Sequence, residues 1–90
     1  MNTVIINSIE FSNTDELHAV LKDKLELPEY YGANLDALWD CLSTWIELPM
    51  IIEWVGYDDS KQKLGEYAEK LLKTFQEAEK EIEGFRFIRR

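Results

Sequence analysis

The stretch LPEYYGANLDALWDCLSTWIELPMIIEW, residues 27–54, holds all three tryptophans of the chain, two of its four tyrosines and its single cysteine. No lysine, arginine or histidine occurs between Leu25 and Ser60, whereas eight acidic residues do. The chain has 18 acidic and 10 basic residues, so removing these eight leaves ten of each and places the whole formal charge of -8 here. An acidic, aromatic-rich segment in an otherwise balanced chain predicts a positively charged partner. The eight acids are Glu26, Glu29, Asp36, Asp40, Glu47, Glu53, Asp58 and Asp59.

Length and composition predict one soluble domain, residues 1–90. A chain of 90 residues can bury roughly two-thirds of its surface in one core and has none to spare for a second. Its composition, 46% hydrophobic and 31% charged, is typical of a soluble globular protein. Residues 1–7 lack the basic and long apolar segments of a signal peptide or membrane anchor, so we expect a cytoplasmic protein without membrane association. One cysteine and one histidine allow neither an internal disulfide nor a zinc site, and we expect no cofactor or metal.

Strand and helix signals alternate along the first third of the chain. Val4–Ile6 is an apolar run rich in β-branched residues and predicts a buried strand. Ser12, with Asp15 three residues on, resembles a capping box and predicts the start of a helix that stops at Pro28. In the loop that follows, Gly32 is expected to adopt a turn conformation closed to other residues.

A second helix, capped by Asn34, divides the acidic segment into two faces. Its apolar residues recur at helical spacing and predict one buried side, formed by Leu35, Leu38, Trp39, Leu42 and Ile46. Asp36, Asp40 and Ser43 recur at i, i+4 and i+7 and share the opposite side. This side is the candidate functional surface.

The rest of the chain predicts two more strands with helices between them. Met50–Trp54 and Phe85–Ile88 are the strands; Asp58 is expected to cap a short helix, and a long amphipathic helix then runs up to Gly84. Strands separated by helices run parallel when the crossovers are right-handed. The predicted fold class is therefore α/β, a three-stranded parallel sheet packed with about four helices.

Asp36 and Asp40 form the sharpest candidate site, and four interpretations stay open. Like charges at i, i+4 destabilise a helix by a few tenths of a kcal/mol, so the pair is either tolerated on a solvated face or used. Two acids roughly 5 to 9.5 Å apart could serve a glycosidase, although a chain of this size offers little room for a sugar cleft. With a distant glutamate they could bind magnesium or calcium, although EF-hand spacing is missing. The fourth interpretation is a nucleic-acid mimic, whose carboxylates occupy phosphate positions in a basic cleft.

The aromatic residues near these acids divide between surface and core. A seven-residue loop can hardly bury both Tyr30 and Tyr31, and exposed tyrosine beside acids is typical of a surface that binds a basic protein. The negative charge and the lack of a Gly-rich phosphate loop disfavour direct binding of RNA or DNA. Three residues are instead expected to be structural: Trp54, His18 and Cys41.

The stretch from Leu27 to Trp54 closely resembles, without gaps, the corresponding part of the barstar family, intracellular inhibitors of the secreted ribonuclease barnase. The similarity continues more weakly through the first strand and helix, Ser60–Gln62 and Phe75–Ala78, so it covers essentially the whole chain. It implies a three-stranded parallel sheet with helices and an inhibitor without catalytic activity. The second helix and the preceding loop would close the basic active site of a barnase-type ribonuclease in a 1:1 complex, and the free protein would be a monomer. The alternative is a barstar-like acidic module that binds another basic protein.

The resemblance also implies roles for individual residues. Asp40 looks like the central acid that takes the place of a substrate phosphate, with Asp36 beside it. Glu77, on the long helix, looks like an outlying acid at the edge of the same surface. The other expected contact residues are Tyr30, Gly32, Asn34, Trp39, Ser43 and Trp45.

Several positions depart from the barstar pattern or repeat a special feature of it. Ser43 stands in place of a threonine, Ala33 in place of a glutamate and Thr44 in place of a glycine. All three lie on or beside the expected contact surface, so the ribonuclease bound can differ from barnase. Glu83 replaces the second family cysteine, and Pro49 matches a cis proline.

Overall fold

Three parallel strands form a sheet in the part of the chain that the computed structural model describes, residues 2–90. β1 (Asn2–Asn7) and β3 (Phe85–Arg89) flank the central strand β2 (Met50–Val55). Four α-helices accompany the sheet in these residues, and a short 3-10 helix (Ser8–Glu10) follows β1: α1 (Thr14–Lys24), α2 (Leu35–Thr44), α3 (Tyr57–Leu64) and α4 (Glu66–Glu81). None of the helices within residues 2–90 has both the length and the apolar character needed to cross a bilayer. The predicted fold class is confirmed, and the strand order is β1-β2-β3.

The register of the sheet brings apolar side chains into rows that face the core. Val4, Ile52 and Phe87 form one such row across the three strands. Because successive side chains of a strand point to opposite faces, β2 alternates between buried and half-buried residues along its whole length. Trp54 lies on the buried side of β2 and is 0% exposed, which confirms its prediction as a core residue.

The prediction of a buried first strand is right in position and wrong in burial. Ile6 is 1% exposed, but its neighbour Ile5 is 47% exposed. Ile5 and Ile6 point to opposite faces of the sheet, and in β1 only the face that carries Ile6 meets the core; Ile5 lies beside Glu53 of β2 on the other face. An apolar run of three residues does not distinguish this situation from a strand buried on both faces.

Two helices are capped one and two residues away from their predicted caps. α1 is capped by Asn13, not Ser12: the Asn13 Oδ1 accepts from the backbone N–H of Glu16 at 2.8 Å. The Glu16 carboxylate accepts in return from the Ser12 N–H at 2.8 Å, which satisfies a second donor at this end of the helix. α3 begins at Tyr57 directly after Gly56, so Asp58 is a first-turn acid and not the cap. Gly56 has φ 79°, a left-handed conformation that favours glycine.

The apolar side of α2 packs against α4 and the rest of the core. Leu38 and Leu42 are 0% and 1% exposed, and the other predicted members pack half-buried against the same core: Leu35, Trp39 and Ile46. Cys41 is also buried, as predicted. Burial raises the pKa of its thiol, and the negative charge of Asp40 raises it further, so the thiol stays protonated at neutral pH.

The connection from α2 to β2 passes through a cis peptide bond between Leu48 and Pro49, as the resemblance implies. The Pro49 carbonyl accepts from the Asn2 N–H at 3.3 Å, and the next residue, Met50, donates its N–H to the Gly84 carbonyl at 2.9 Å. These two hydrogen bonds align the starts of β1 and β3 with the start of β2.

Candidate functional site

The loop of residues 28–34 leads into α2 and is held at both ends. At its start the Tyr31 N–H donates to the Pro28 carbonyl at 2.9 Å and closes a turn. At its end Asn34 caps α2, as predicted: its Oδ1 accepts from the Ala37 N–H at 2.8 Å, while its Nδ2 donates to the Gly32 carbonyl at 3.3 Å. One asparagine side chain therefore joins the loop to the first turn of the helix.

Gly32 is needed for a different reason than predicted. The left-handed conformation belongs to its neighbour Ala33, with φ 53°, and not to Gly32. A Cβ atom on Gly32 would lie 3.3 Å from the Ala37 Cβ, which is tighter than ordinary van der Waals contact. Gly32 therefore allows the loop to approach the first turn of α2 closely.

The outward side of α2 presents Asp36, Asp40 and Ser43, and all three are exposed. The Ser43 hydroxyl donates back to its own helix, with the Trp39 carbonyl at 2.8 Å and the Asp40 carbonyl at 3.1 Å. The Thr44 hydroxyl also donates to the Asp40 carbonyl, at 2.6 Å. The backbone of Asp40 is thus hydrogen-bonded to side chains while its carboxylate stays in solvent.

Two exposed aromatic residues stand together beside this helix. Tyr30 is 80% exposed, and its ring meets that of Trp45 edge-on, with centroids 6.3 Å apart and an interplanar angle of 83°. Trp45, which is 48% exposed, donates its Nε1–H to the Glu26 carbonyl at 2.9 Å. Trp39 is different, because it is half-buried and packs against the core. The structure therefore brings Tyr30 and Trp45 into contact and leaves Trp39 as a link between surface and core.

The eight acids between Leu25 and Ser60, the central segment, fall into two groups. Three of them form ion pairs with cations from outside the segment: Glu53 with Arg90, Asp58 with Arg89 at 3.7 Å, and Asp59 with Lys63 at 3.2 Å. The other five form no ion pair within 4.0 Å among residues 2–90: Glu26, Glu29, Asp36, Asp40 and Glu47. The uncompensated negative charge is therefore carried by fewer residues than the sequence suggests.

Asp36 and Asp40 should destabilise the free protein slightly, because they are like charges one helical turn apart without a nearby cation. We expect Asp40→Asn to raise the melting temperature by about 1–3 °C, corresponding to a few tenths of a kcal/mol. Asp36→Asn should raise it less, because Asp36 also interacts favourably with the N-terminal end of the helix dipole. Asp59→Asn is the contrasting control: it breaks the pair with Lys63 and should not stabilise. Thermal unfolding followed by circular dichroism measures the melting temperatures of the three variants. Lower values for both Asp36→Asn and Asp40→Asn than for the wild type would contradict the expectation.

Glu77 stands apart from the other predicted contact residues. It is exposed on α4, and its carboxylate lies 3.9 Å from the Lys73 Nζ on the same helix. α4 packs against α2, so the two helices that carry the predicted acids are neighbours. Only the resemblance suggested Glu77, since a single exposed acid on an amphipathic helix has no distinguishing pattern.

The enzyme and metal interpretations concern the side chains that could gather around Asp36 and Asp40. Within residues 2–90, no three groups from histidine, cysteine, aspartate and glutamate are placed to hold a metal ion together. A groove of about 500 Å³ lies between β1, the end of α1 and the α2–β2 connection, with Lys24, Glu26 and Trp45 among its lining residues. Asp36 and Asp40 do not line this groove.

His18, predicted to be structural, is a buried link between three elements. It is 2% exposed, its Nδ1 lies 2.6 Å from the Tyr31 hydroxyl, and its Nε2 lies 2.6 Å from the Tyr67 hydroxyl. α1 is thereby joined to the loop of residues 28–34 and to α4. The sequence has no signal for this contact, because Tyr67 lies 49 positions from His18.

Acid should weaken the fold through His18. Burial lowers the pKa of its imidazole below the ordinary value of 6.5, and the nearby Asp15 carboxylate opposes this only in part. The unfolded chain therefore takes up the proton at a higher pH than the folded chain. Stability from the neutral imidazole is complete above about pH 6.5 and is lost as the pH falls toward the folded-state pKa.

We expect the melting temperature of the wild type to fall more steeply from about pH 7 to about pH 5 than that of His18→Gln, which has no titrating ring. Differential scanning calorimetry of both proteins at matched ionic strength measures the two slopes. Equal slopes would contradict the expectation.

Comparison with known proteins supports the resemblance. The family model described as Barstar (barnase inhibitor) matches residues 1–88. A relative from Bacillus subtilis (strain 168), named "Putative ribonuclease inhibitor YrdF", is 46% identical over 82 residues, which are 91% of this chain and 90% of the relative.

Proposed function

The chain belongs to the barstar family, and on that premise we propose that it inhibits a ribonuclease of the barnase type. The inhibitor uses the loop of residues 28–34 and the outward side of α2 to cover the basic active site in a 1:1 complex. It has no catalytic step of its own, and it acts in the cytoplasm of the cell that makes the ribonuclease.

The observation that carries this proposal is the pair of uncompensated carboxylates on a fixed helix. Asp36 and Asp40 are exposed, whereas Leu38 and Leu42 anchor the same helix in the core. Asn34 caps the helix and hydrogen bonds cover the Asp40 backbone, so the carboxylates are held on a rigid support. A ribonuclease cleft is lined by cations that bind phosphate, and carboxylates at fixed positions can take the place of two phosphates there.

The charge distribution also supports fast and oriented association. Glu53, Asp58 and Asp59 are paired internally, so Asp36 and Asp40 of α2 belong to the part of the segment whose negative charge is not compensated by an ion pair among residues 2–90. The field of such charges steers a basic partner toward them and raises the association rate at low salt.

Tyr30 and Trp45 supply the apolar part of the contact. Aromatic rings that are exposed in the free protein can bury a large area on a partner with little loss of side-chain freedom. The two rings already lie edge-on to each other in the free protein. Trp39, Ser43, Gly32 and Asn34 complete the contact surface, with Glu77 at its edge.

Ser43, Thr44 and Ala33 are the positions where we expect the choice of ribonuclease to be made. The hydroxyls of Ser43 and Thr44 donate to carbonyls of α2, so these side chains offer a partner an acceptor oxygen and no free donor. Ala33 offers only a methyl group where the barstar pattern has a carboxylate. A ribonuclease that places no cation opposite Ala33 would therefore fit better than barnase itself.

Titration of the purified protein into RNA-cleavage assays with a panel of barnase-type ribonucleases tests the proposal. We expect cleavage by at least one enzyme to stop at one equivalent of inhibitor, with inhibition weakening as salt is raised. Glu66→Ala, which removes an exposed acid of α4 outside the central segment, should inhibit as the wild type does. Undiminished cleavage across the panel would overturn the proposal.

A further inference from the structure

The loop of residues 28–34 has a buried anchor that the proposed contact surface does not include. Tyr30 and Tyr31 are adjacent, but Tyr30 points into solvent while Tyr31 is half-buried and hydrogen-bonded to His18. The His18 ring also lies against the rings of Tyr31 and Tyr67, with centroids 5.7 Å and 5.8 Å away. Tyr67 of α4, His18 of α1 and Tyr31 of the loop therefore form a chain of hydrogen bonds, called the relay below.

The hydrogen bonds of His18 need the hydroxyls of both Tyr31 and Tyr67. A neutral imidazole has one N–H donor and one nitrogen acceptor. One tyrosine hydroxyl therefore accepts from His18 and the other donates to it, and both ring nitrogens are satisfied only when both tyrosines are in place. Because His18 is buried, loss of either hydroxyl would leave a ring nitrogen without water or protein partner.

We propose that Tyr67 is a positioning residue for inhibition: through His18 it holds Tyr31, and with Tyr31 the loop that presents Tyr30 and Gly32 to the ribonuclease. The role in inhibition rests on the proposed function, whereas the effect on the loop does not. Tyr31 lies in the middle of the loop, where its backbone N–H donates to the Pro28 carbonyl and its hydroxyl bonds His18 of α1. Releasing the hydroxyl would leave the loop held by its local hydrogen bonds at Pro28 and Asn34.

The groups around the imidazole favour an uncharged relay at neutral pH. Burial raises the pKa of Tyr31 well above its ordinary value, with smaller contributions from Tyr67 and Cys41, and it also raises the pKa of Tyr67. Burial lowers the pKa of His18, and Asp15 on the same helix is the charge that opposes this. With all three rings neutral, each hydrogen bond has a defined donor and acceptor.

A loop that is ordered before binding loses less conformational freedom in the complex. Loosening it should therefore shorten the lifetime of the complex, while the charges that steer association are unchanged. This separation of rates distinguishes a positioning role from a loss of contact charge.

Tyr67→Phe tests the relay, since it removes one hydroxyl and keeps the ring. Tyr57→Phe is the matched control, because Tyr57 lies on α3 with its ring against Trp54 and the Arg89 guanidinium. In the free protein we expect exchange of the Tyr31 amide hydrogen, which donates to the Pro28 carbonyl, to accelerate about tenfold in Tyr67→Phe, with no change in β2 and no change in Tyr57→Phe. Unchanged exchange in the loop would overturn the proposal, whether or not a ribonuclease is inhibited.

The second measurement uses surface plasmon resonance with a ribonuclease that the wild type inhibits. We expect the dissociation rate of Tyr67→Phe to rise about tenfold and the association rate to stay within about twofold of wild type. In Tyr31→Phe/Tyr67→Phe the effect on dissociation should be smaller than the sum of the single effects, because both act through one imidazole. A loosened loop with an unchanged dissociation rate would overturn the positioning role. If no ribonuclease is inhibited, the proposed function fails and the exchange measurement alone decides on the relay.

Discussion

Replacing Asp40 with alanine is expected to weaken binding to the cognate ribonuclease by about 4 kcal/mol or more, roughly a thousandfold in Kd. Barstar's own central aspartate marks the upper end of the range known for such hot spots, so this magnitude is a family expectation. The physical reason is that the carboxylate would be enclosed among the cations of the active site. Its removal leaves those cations buried and unpaired, which costs more than the loss of one exposed ion pair.

The loss should lie mainly in the dissociation rate, because one charge among several contributes modestly to steering. Stopped-flow association and surface plasmon resonance dissociation measure the two rates. Glu66→Ala removes the same charge from an exposed helical position outside the central segment and should change Kd less than about threefold. Since the Asp40 carboxylate forms no ion pair with residues 2–90, the variant should unfold at or above the wild-type temperature. A loss below about tenfold, or an equal loss in Glu66→Ala, would contradict the assignment of Asp40 as the central acid.

The features that could be predicted from sequence are those set by short-range periodicity. The spacing of Leu38 and Leu42 against Asp36 and Asp40 determines which side of α2 faces the core, and the burial of the two leucines confirms it. Alternation of strand and helix signals likewise predicts parallel strands, because antiparallel neighbours would need only short turns. The apolar neighbours of Trp54 and Cys41 in the same elements predict that both belong to the core, where both lie.

The features that could not be predicted depend on contacts between distant residues or on near-equivalent local choices. Tyr67 reaches His18, and Arg90 neutralises Glu53, only because the fold brings them together. Ser12 and Asn13 are both good helix caps, and the helix uses Asn13, while Glu16 accepts from the Ser12 N–H. Glycine in a loop usually marks a left-handed residue, but Gly32 provides close approach instead.

The structure separates the central segment into a core part and a surface part that share one helix. Mutations at the surface should therefore change binding with little effect on stability, and mutations in the core should do the reverse. Two tryptophans of the segment make this comparison possible with the same chemical change, because one is exposed and the other is buried.

Trp54→Ala is expected to destabilise the protein by about 3–5 kcal/mol, the range typical of large aromatic side chains deleted from a core. The Trp54 ring is 0% exposed and lies edge-on to Tyr57 and Phe75, with centroids 5.0 Å and 6.2 Å away. Its Nε1–H donates to the Ser60 hydroxyl at 2.9 Å, so its loss removes packing and leaves a buried hydroxyl with one partner fewer. For a chain of this length the melting temperature should fall by about 15 °C or more.

Trp45→Ala is the matched comparison, and it should give the opposite pair of effects. Trp45 is 48% exposed and touches Tyr30, so its loss should lower the free energy of unfolding by less than about 1.5 kcal/mol. It should nevertheless weaken ribonuclease binding by about 1–2 kcal/mol, because an aromatic ring of the contact surface is lost. Trp54→Ala, measured at a temperature where it is folded, should bind within about threefold of wild type, since none of its lost contacts lies on that surface. Urea unfolding followed by far-ultraviolet circular dichroism, together with Kd for both variants, tests the separation. If Trp45→Ala destabilises as much as Trp54→Ala, or if Trp54→Ala loses binding while folded, core and contact surface are not independent and the two-sided description of α2 is wrong.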